Sequence, residues 1–177
     1  DLANEVYGVA DPKDISQRVL RQACIFYDAD WCGMFDVDRM LKLLVPFWWY
    51  NRTTGGMTKT KLDEGGVYGD FTRWMDALNT NTPIYVDDIE KIKDSNPEEY
   101  AVYSKQEVRS ILAVPYHKRE KGFLLLRNPK RYGDKPEMLQ IMANILVAEI
   151  NEQKHLDRMK AESENMDTSA EIVINLF

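Results

Sequence analysis

Residues 108–128 constrain the fold of this chain most. Two apolar runs, Ile111-Leu112-Ala113-Val114 and Phe123-Leu124-Leu125-Leu126, flank the charged stretch Lys118-Arg119-Glu120-Lys121 and Gly122. Runs this short, without polar alternation, predict strands covered on both faces. The charged residues and Gly122 between them predict a hairpin, with Gly122 easing the exit of the turn. A hairpin covered on both faces needs helices, and the flanking sequence supplies them.

Upstream, Asp11-Pro12-Lys13-Asp14 has the acidic first turn of a helix start. Ile15, Val19, Ala23 and Phe26 then recur at helical spacing, which predicts a helix over about 12–29. Trp31 to Val37 and Met40 to Tyr50 predict a second hairpin, rich in aromatic residues and turning at 36–39. Pro46 cannot donate to a ladder, so its strand is expected at an edge or at a bulge. Residues 51–69 hold Gly55, Gly56, Gly65, Gly66 and Gly69, five of nine glycines, and predict a mobile loop. Gly65-Gly66-Val67-Tyr68-Gly69 lacks the Lys-Ser/Thr of a phosphate-binding loop.

Phe71, Trp74, Met75 and Leu78 are spaced as one face of a short helix. Pro83 to Val86 predicts a short strand, with Asp87 and Asp88 as caps for a following turn. Pro97 opens a helix to Gln106, with Tyr100 and Tyr103 on one face. Residues 127–134 predict a basic loop. A long helix follows from Pro136, with Leu139, Met142, Leu146 and Ile150 as its stripe. Past Ile150 only Leu156, Met159 and Met166 continue the stripe, so residues to about 168 predict an exposed or partner-facing helix. Glu171 to Phe177 has strand composition.

The fold class is therefore α+β. An antiparallel sheet of about six strands is expected, with terminal helices on one face and short middle helices on the other. Residues 1–155 form the globular part, 156–170 a helical linker, and 171–177 the start of a following domain. The first residue is not Met, which predicts a piece of a longer protein.

The chemistry is sparse. Net charge is −6, against direct contact with nucleic-acid phosphates. No run of about eighteen apolar residues is present to cross a membrane. Cys24 and Cys32 form no disulfide framework and fit a reducing, cytoplasmic setting. His117 and His155 have no partners at ligand spacing, so neither metal nor haem is expected. Asp36 with Asp38, and Asp87 with Asp88, read as turn and cap residues rather than as an acid/base pair. Trp49, Trp74, Tyr85, Tyr100 and Tyr103 come from separate elements that could wall one ligand cavity. Arg109 and Ser110, at the start of the central strand, would supply its polar contacts. The plain alternative for the aromatic set is core packing.

Three phrases carry a family resemblance: Ala29-Asp30-Trp31-Cys32-Gly33-Met34-Phe35, Pro83-Ile84-Tyr85-Val86-Asp87-Asp88-Ile89, and Glu107-Val108-Arg109-Ser110-Ile111-Leu112-Ala113-Val114-Pro115. With the element order they resemble the GAF domain, a small-molecule sensor fold related to PAS domains, over about residues 11–155. The resemblance implies a six-stranded sheet, a ligand pocket between sheet and middle helices, and control of a linked output domain, often in dimers. A homodimer through the terminal helices is expected. The Asn-Lys, Phe and Asp-Glu motif of cyclic-nucleotide binders is present only in fragments, at Asn128, Lys130 and Asp134. Bilin attachment needs a cysteine, and residues 33–177 hold none. No covalent bilin is expected, and the ligand stays unidentified. Ile174-Asn175-Leu176-Phe177 resembles the opening strand of bacterial transcriptional-activator domains, which would place nucleic-acid binding in a linked domain. The expected function is a regulatory sensor rather than an enzyme. A ligand-free dimerisation and relay module is one alternative. A cysteine-dependent methionine sulfoxide reductase, a branch of the same family, is another.

Overall fold

The computed structural model describes residues 12–38, 40, 43–67, 70–117 and 121–176. Its elements follow the order α1 (Pro12–Tyr27), β1 (Trp31–Asp38), β2 (Leu43–Asn51), a 3-10 turn (Lys61–Asp63), β3 (Gly66–Val67), α2 (Thr72–Thr80), β4 (Ile84–Val86), a 3-10 turn (Ile89–Ile92), α3 (Pro97–Lys105), β5 (Ile111–His117), β6 (Lys121–Arg127) and α4 (Glu137–Leu176). The strands form one antiparallel sheet in the order β3-β2-β1-β6-β5-β4. The expected six strands are present, although β3 has two residues only.

Side-chain alternation divides the central strands between two cores. On one face, Cys32, Met34, Leu112, Val114, Leu124 and Leu126 meet Leu20, Ala23 and Cys24 of α1 and Leu139, Ala143, Leu146 and Ile150 of α4. On the other, Trp31, Phe35, Ile111, Ala113, Phe123 and Leu125 meet Trp74, Ala77 and Leu78 of α2 and Tyr103 of α3. Terminal helices on one side and middle helices on the other is the arrangement the sequence predicts. Each apolar strand run is continuous because both faces are buried.

Local chemistry shapes the connections. Pro46 stands at a register shift, where Met34 pairs Trp48 and Phe35 pairs Pro46, so the expected bulge is present. Asp88 accepts from the backbone N–H of Glu90 at 3.0 Å and caps its turn, while Asp87 pairs Lys91 instead. Arg131 donates to the carbonyls of Ile25 and Phe26 and closes the end of α1. The Tyr27 hydroxyl donates to the Lys135 carbonyl at 2.6 Å and accepts from Leu139 N at 3.0 Å, which joins the end of α1 to the start of α4.

Four expectations are corrected. Residues 171–176 are helical, not a strand: α4 continues unbroken to Leu176. Nothing in Asp167-Thr168-Ser169-Ala170 stops it, since Thr168 and Ser169 turn their hydroxyls back to the carbonyls of Glu164 and Asn165. Within the expected loop, residues 60–65 are strapped to the sheet, as described below; Tyr68 and Gly69 lie outside the described residues. Arg127 ends β6 inside the protein and does not open a basic loop. Gly122 lies within β6, where a Cβ would stand 2.1 Å from the Phe35 carbonyl oxygen and 2.4 Å from the Tyr116 hydroxyl. Tyr116 donates to that same carbonyl at 2.9 Å, so close approach, not turning, requires the glycine.

Candidate functional site

The expected aromatic set is divided by the fold. Trp74 and Tyr103 are fully buried in the core under α2 and α3, with Trp49 and Tyr100 packed partly against it. Tyr85 is not with them. Ile84 and Val86 face that core, so Tyr85 between them points away, lies 47% exposed and packs over Gly133. The Tyr100 hydroxyl donates to Glu90 at 2.8 Å, near the surface. Ser110 accepts from Asn128 N at 2.9 Å through its carbonyl.

Two buried polar networks hold this face, and neither is foreseen from the sequence. Glu99 is almost fully buried and accepts from the Trp74 indole and from the Arg73 guanidinium, tying α3 to α2. Arg127 is fully buried, with its guanidinium 4.5 Å from the centroid of the Trp31 ring and 5.4 Å from that of Phe35. It donates to the Leu62 carbonyl and, at 2.9 Å, to the Glu64 carbonyl. Asp63, nearly as enclosed, accepts from Trp31 Nε1 at 2.9 Å, Asn51 Nδ2 at 3.1 Å and Thr60 N at 2.7 Å. Gln106 adds donations to the carbonyls of Glu64 and Gly65, both at 3.0 Å. Buried charges are tolerated only when so paired. Here the bonds strap residues 60–65 onto the sheet.

That strap forms one wall of a polar cleft of about 760 Å³ at the end of the sheet. Asp30, Thr53, Lys59, Thr60, Lys61, Leu62, Glu64, Glu107, Arg109 and Asn128 line it, with no residue from α2 or α3. Arg109 is the expected site residue that the structure places here. Asn128 forms the floor. Its backbone is left-handed, at φ 58°, its Oδ1 accepts from Arg109 N at 2.7 Å, and its Nδ2 donates to Asp30 Oδ2 at 2.9 Å. Burial raises the Asp30 pKa, but hydrogen bonds from Lys130 and Asn128 and the charges of Lys130 and Arg109 outweigh it and hold the carboxyl below its ordinary range.

Both cysteines lie elsewhere. Cys24 and Cys32 belong to the core under α1 and α4, on the opposite face of the sheet from Trp74. Burial pushes the Cys24 thiol up to about 12 and the Cys32 thiol well above the ordinary range. A thiol is a nucleophile only as thiolate, a form that burial disfavours at both positions. Among the described residues no His, Cys, Asp and Glu side chains gather in a group able to hold a metal ion. No described helix is long and apolar enough to cross a membrane.

No family model and no curated protein matches the sequence. Solved structures do. A protein solved in a far-red-absorbing dark state with bound biliverdin IXa superposes with a TM-score of 0.64 at 14% identity, over 86% of this chain and 96% of that one. The GAF domain region of a putative membrane protein from Geobacter sulfurreducens gives 0.54 at 15% identity, over 80% and 93%. The chain has the GAF fold. Free methionine-R-sulfoxide reductase from Neisseria meningitidis, solved with its substrate, shares it at 0.53 and 18% identity, over 82% and 81%. Within this GAF fold, the face on which the resemblance implies a ligand pocket is packed with Trp31, Trp74, Tyr103 and Arg127, all fully buried. Beyond Cys32 the sequence holds no cysteine.

Proposed function

We propose that this chain is a regulatory small-molecule sensor domain, not an enzyme, acting in a reducing, cytoplasmic setting on a linked output. The observation that carries this reading is the division of α4. Leu139, Ala143, Leu146 and Ile150 are buried in the sheet core, whereas residues 154–175 are all exposed. At about 1.5 Å per residue, the part beyond Ile150 projects roughly 40 Å. A helix rooted in a sensor core and free beyond it can transmit a change in packing. It does so only if a ligand binds two helix arrangements unequally.

The exposed stripe of Leu156, Met159 and Met166 supports a homodimer, because a second α4 would cover it at heptad spacing. Any contact with nucleic acid falls to a linked domain, such as that of a transcription regulator, since the chain is acidic. The shared fold of the sulfoxide reductase favours an enzymatic reading, but the enclosed, protonated thiols on the far face oppose it.

A thermal-shift panel of metabolites tests the proposal. A ligand bound to the folded state alone raises the midpoint. The sensor reading expects at least one compound to do so in a concentration-dependent way. A panel with no such compound favours a ligand-free relay module.

A further inference from the structure

We propose, on the basis of the sensor reading above, that the ligand is a small organic anion held in the sheet-end cleft by Lys59, Lys61 and Arg109, and not in the aromatic core under α2 and α3. The cleft volume of about 760 Å³ lies in the range of small-ligand sites. Lys59 and Lys61 are uncommitted, and Arg109 acts on Asp30 through its charge alone. Arg52 is paired with Asp28 and Lys130 with Asp30, whereas the side chains of Lys59, Lys61 and Arg109 make no ion pair or hydrogen bond among the described residues. Asp30, the acid at the floor, is already neutralised by Lys130 at 2.8 Å and bonded by Asn128.

The walls are built rather than incidental. Fully buried Arg127 and nearly buried Asp63 hold the segment that carries Lys59 and Lys61, and Asn128 fixes the backbone of Arg109. Glu107 and Asn128, both lining the cleft, stand at φ 62° and 58°, a left-handed conformation that Asn tolerates and Glu seldom adopts. Desolvating charged groups to support a surface segment is the pattern of a preorganised site. Thr53 and Thr60 add hydroxyl groups for phosphate or carboxylate oxygens. The free carboxylates of Glu64 and Glu107 at the rim fit a ligand that carries hydroxyl or amine donors at its other end.

Amide chemical-shift titration of the intact chain at constant ionic strength tests this, with inorganic pyrophosphate, citrate and spermidine as probes and sodium chloride as the matched control. Saturable shifts at Thr53, residues 59–62 and Arg109 with pyrophosphate or citrate are expected, and the stronger of the two separates phosphate from carboxylate ligands. Arg109→Gln and Lys61→Gln should each weaken that binding about tenfold, as for a lost charge-assisted contact. Both side chains are exposed, so unchanged circular dichroism should accompany the loss. Shifts that the salt control reproduces, or saturation by spermidine alone, overturn the anion assignment. If a neutral compound from the thermal-shift panel saturates the same amides, the ligand class falls while the sensor reading stands. If no compound moves them while one still raises the thermal midpoint, the cleft assignment falls and the sensor reading stands; if none does either, both fall.

Discussion

The guanidinium of Arg127 lies 4.5 Å from the centre of the Trp31 ring, with both side chains fully buried on neighbouring antiparallel strands. Cation and ring cap the end of the α2–α3 core, and each reaches the same segment: Arg127 the carbonyls of Leu62 and Glu64, Trp31 the carboxylate of Asp63.

Arg127→Ala removes two charge-assisted hydrogen bonds and the stacking, and should cost about 3 kcal/mol or more. Denaturant unfolding measures the loss. Hydrogen exchange should speed up at residues 60–65 before it does in β5 or β6. Equal acceleration throughout the sheet would show that Arg127 holds the whole fold and not the strap.

Trp74 is fully buried, so Trp74→Ala should destabilise by roughly 3–5 kcal/mol. Glu99→Gln keeps the shape but removes the charge facing Arg73, and should cost about 1–2 kcal/mol. A Trp74→Ala protein of undiminished stability would mean that the site is an adaptable pocket after all.

Cys24 and Cys32 should resist thiol reagents at pH 8 in the native protein and react at once in denaturant. The sign follows from linkage. Both folded pKa values are raised, so the stability tied to the neutral thiols is present below the unfolded value near 8.5–9 and falls as pH rises toward 12. Fast native labelling of Cys32, together with sulfoxide reduction lost in Cys32→Ser, would reverse the non-enzymatic reading.

The Asp30 carboxyl is held below its ordinary range, so its contribution to stability is present above the unfolded value near 3.9 and is lost as pH falls through the folded one. Wild type and Asp30→Asn should therefore differ in thermal midpoint at pH 6 and begin to converge only as pH falls below about 4. A gap that persists in acid would assign the effect to shape and not to charge.

Much of this architecture is legible in the residues because burial on two faces leaves a plain mark. Ile111 to Val114 and Phe123 to Leu126 lack alternation, and Pro46 announces its bulge. What is missed depends on partners distant in sequence. Arg127 shares strand parity with Phe123 and Leu125, a signal of inward orientation that its basic neighbours Lys130 and Arg131 obscure. Asp63 follows Thr60 at capping-box spacing, but its indole partner is 32 residues away. The end of α4 misleads because Ile172, Val173 and Ile174 favour strands locally, while a helix already nucleated continues through them at small cost per residue.

The exposed apolar stripe of α4 should make the protein a dimer. Leu156→Asp with Met159→Asp should yield monomers in sedimentation velocity with unchanged circular dichroism, because neither side chain touches the sheet core. Wild-type protein that stays monomeric at high micromolar concentration would contradict the expected interface.

Hydrogen exchange along α4, with and without the compound that most raises the thermal midpoint, tests the sensor account most directly. The account predicts altered exchange in two places: protection at residues 53–64 and 107–110, and a change of rate at residues 151–176, some 40 Å of helix beyond the core. Protection around the cleft with identical α4 exchange in both states would show that binding stays local, and would contradict the claim that this fold reports its ligand through α4.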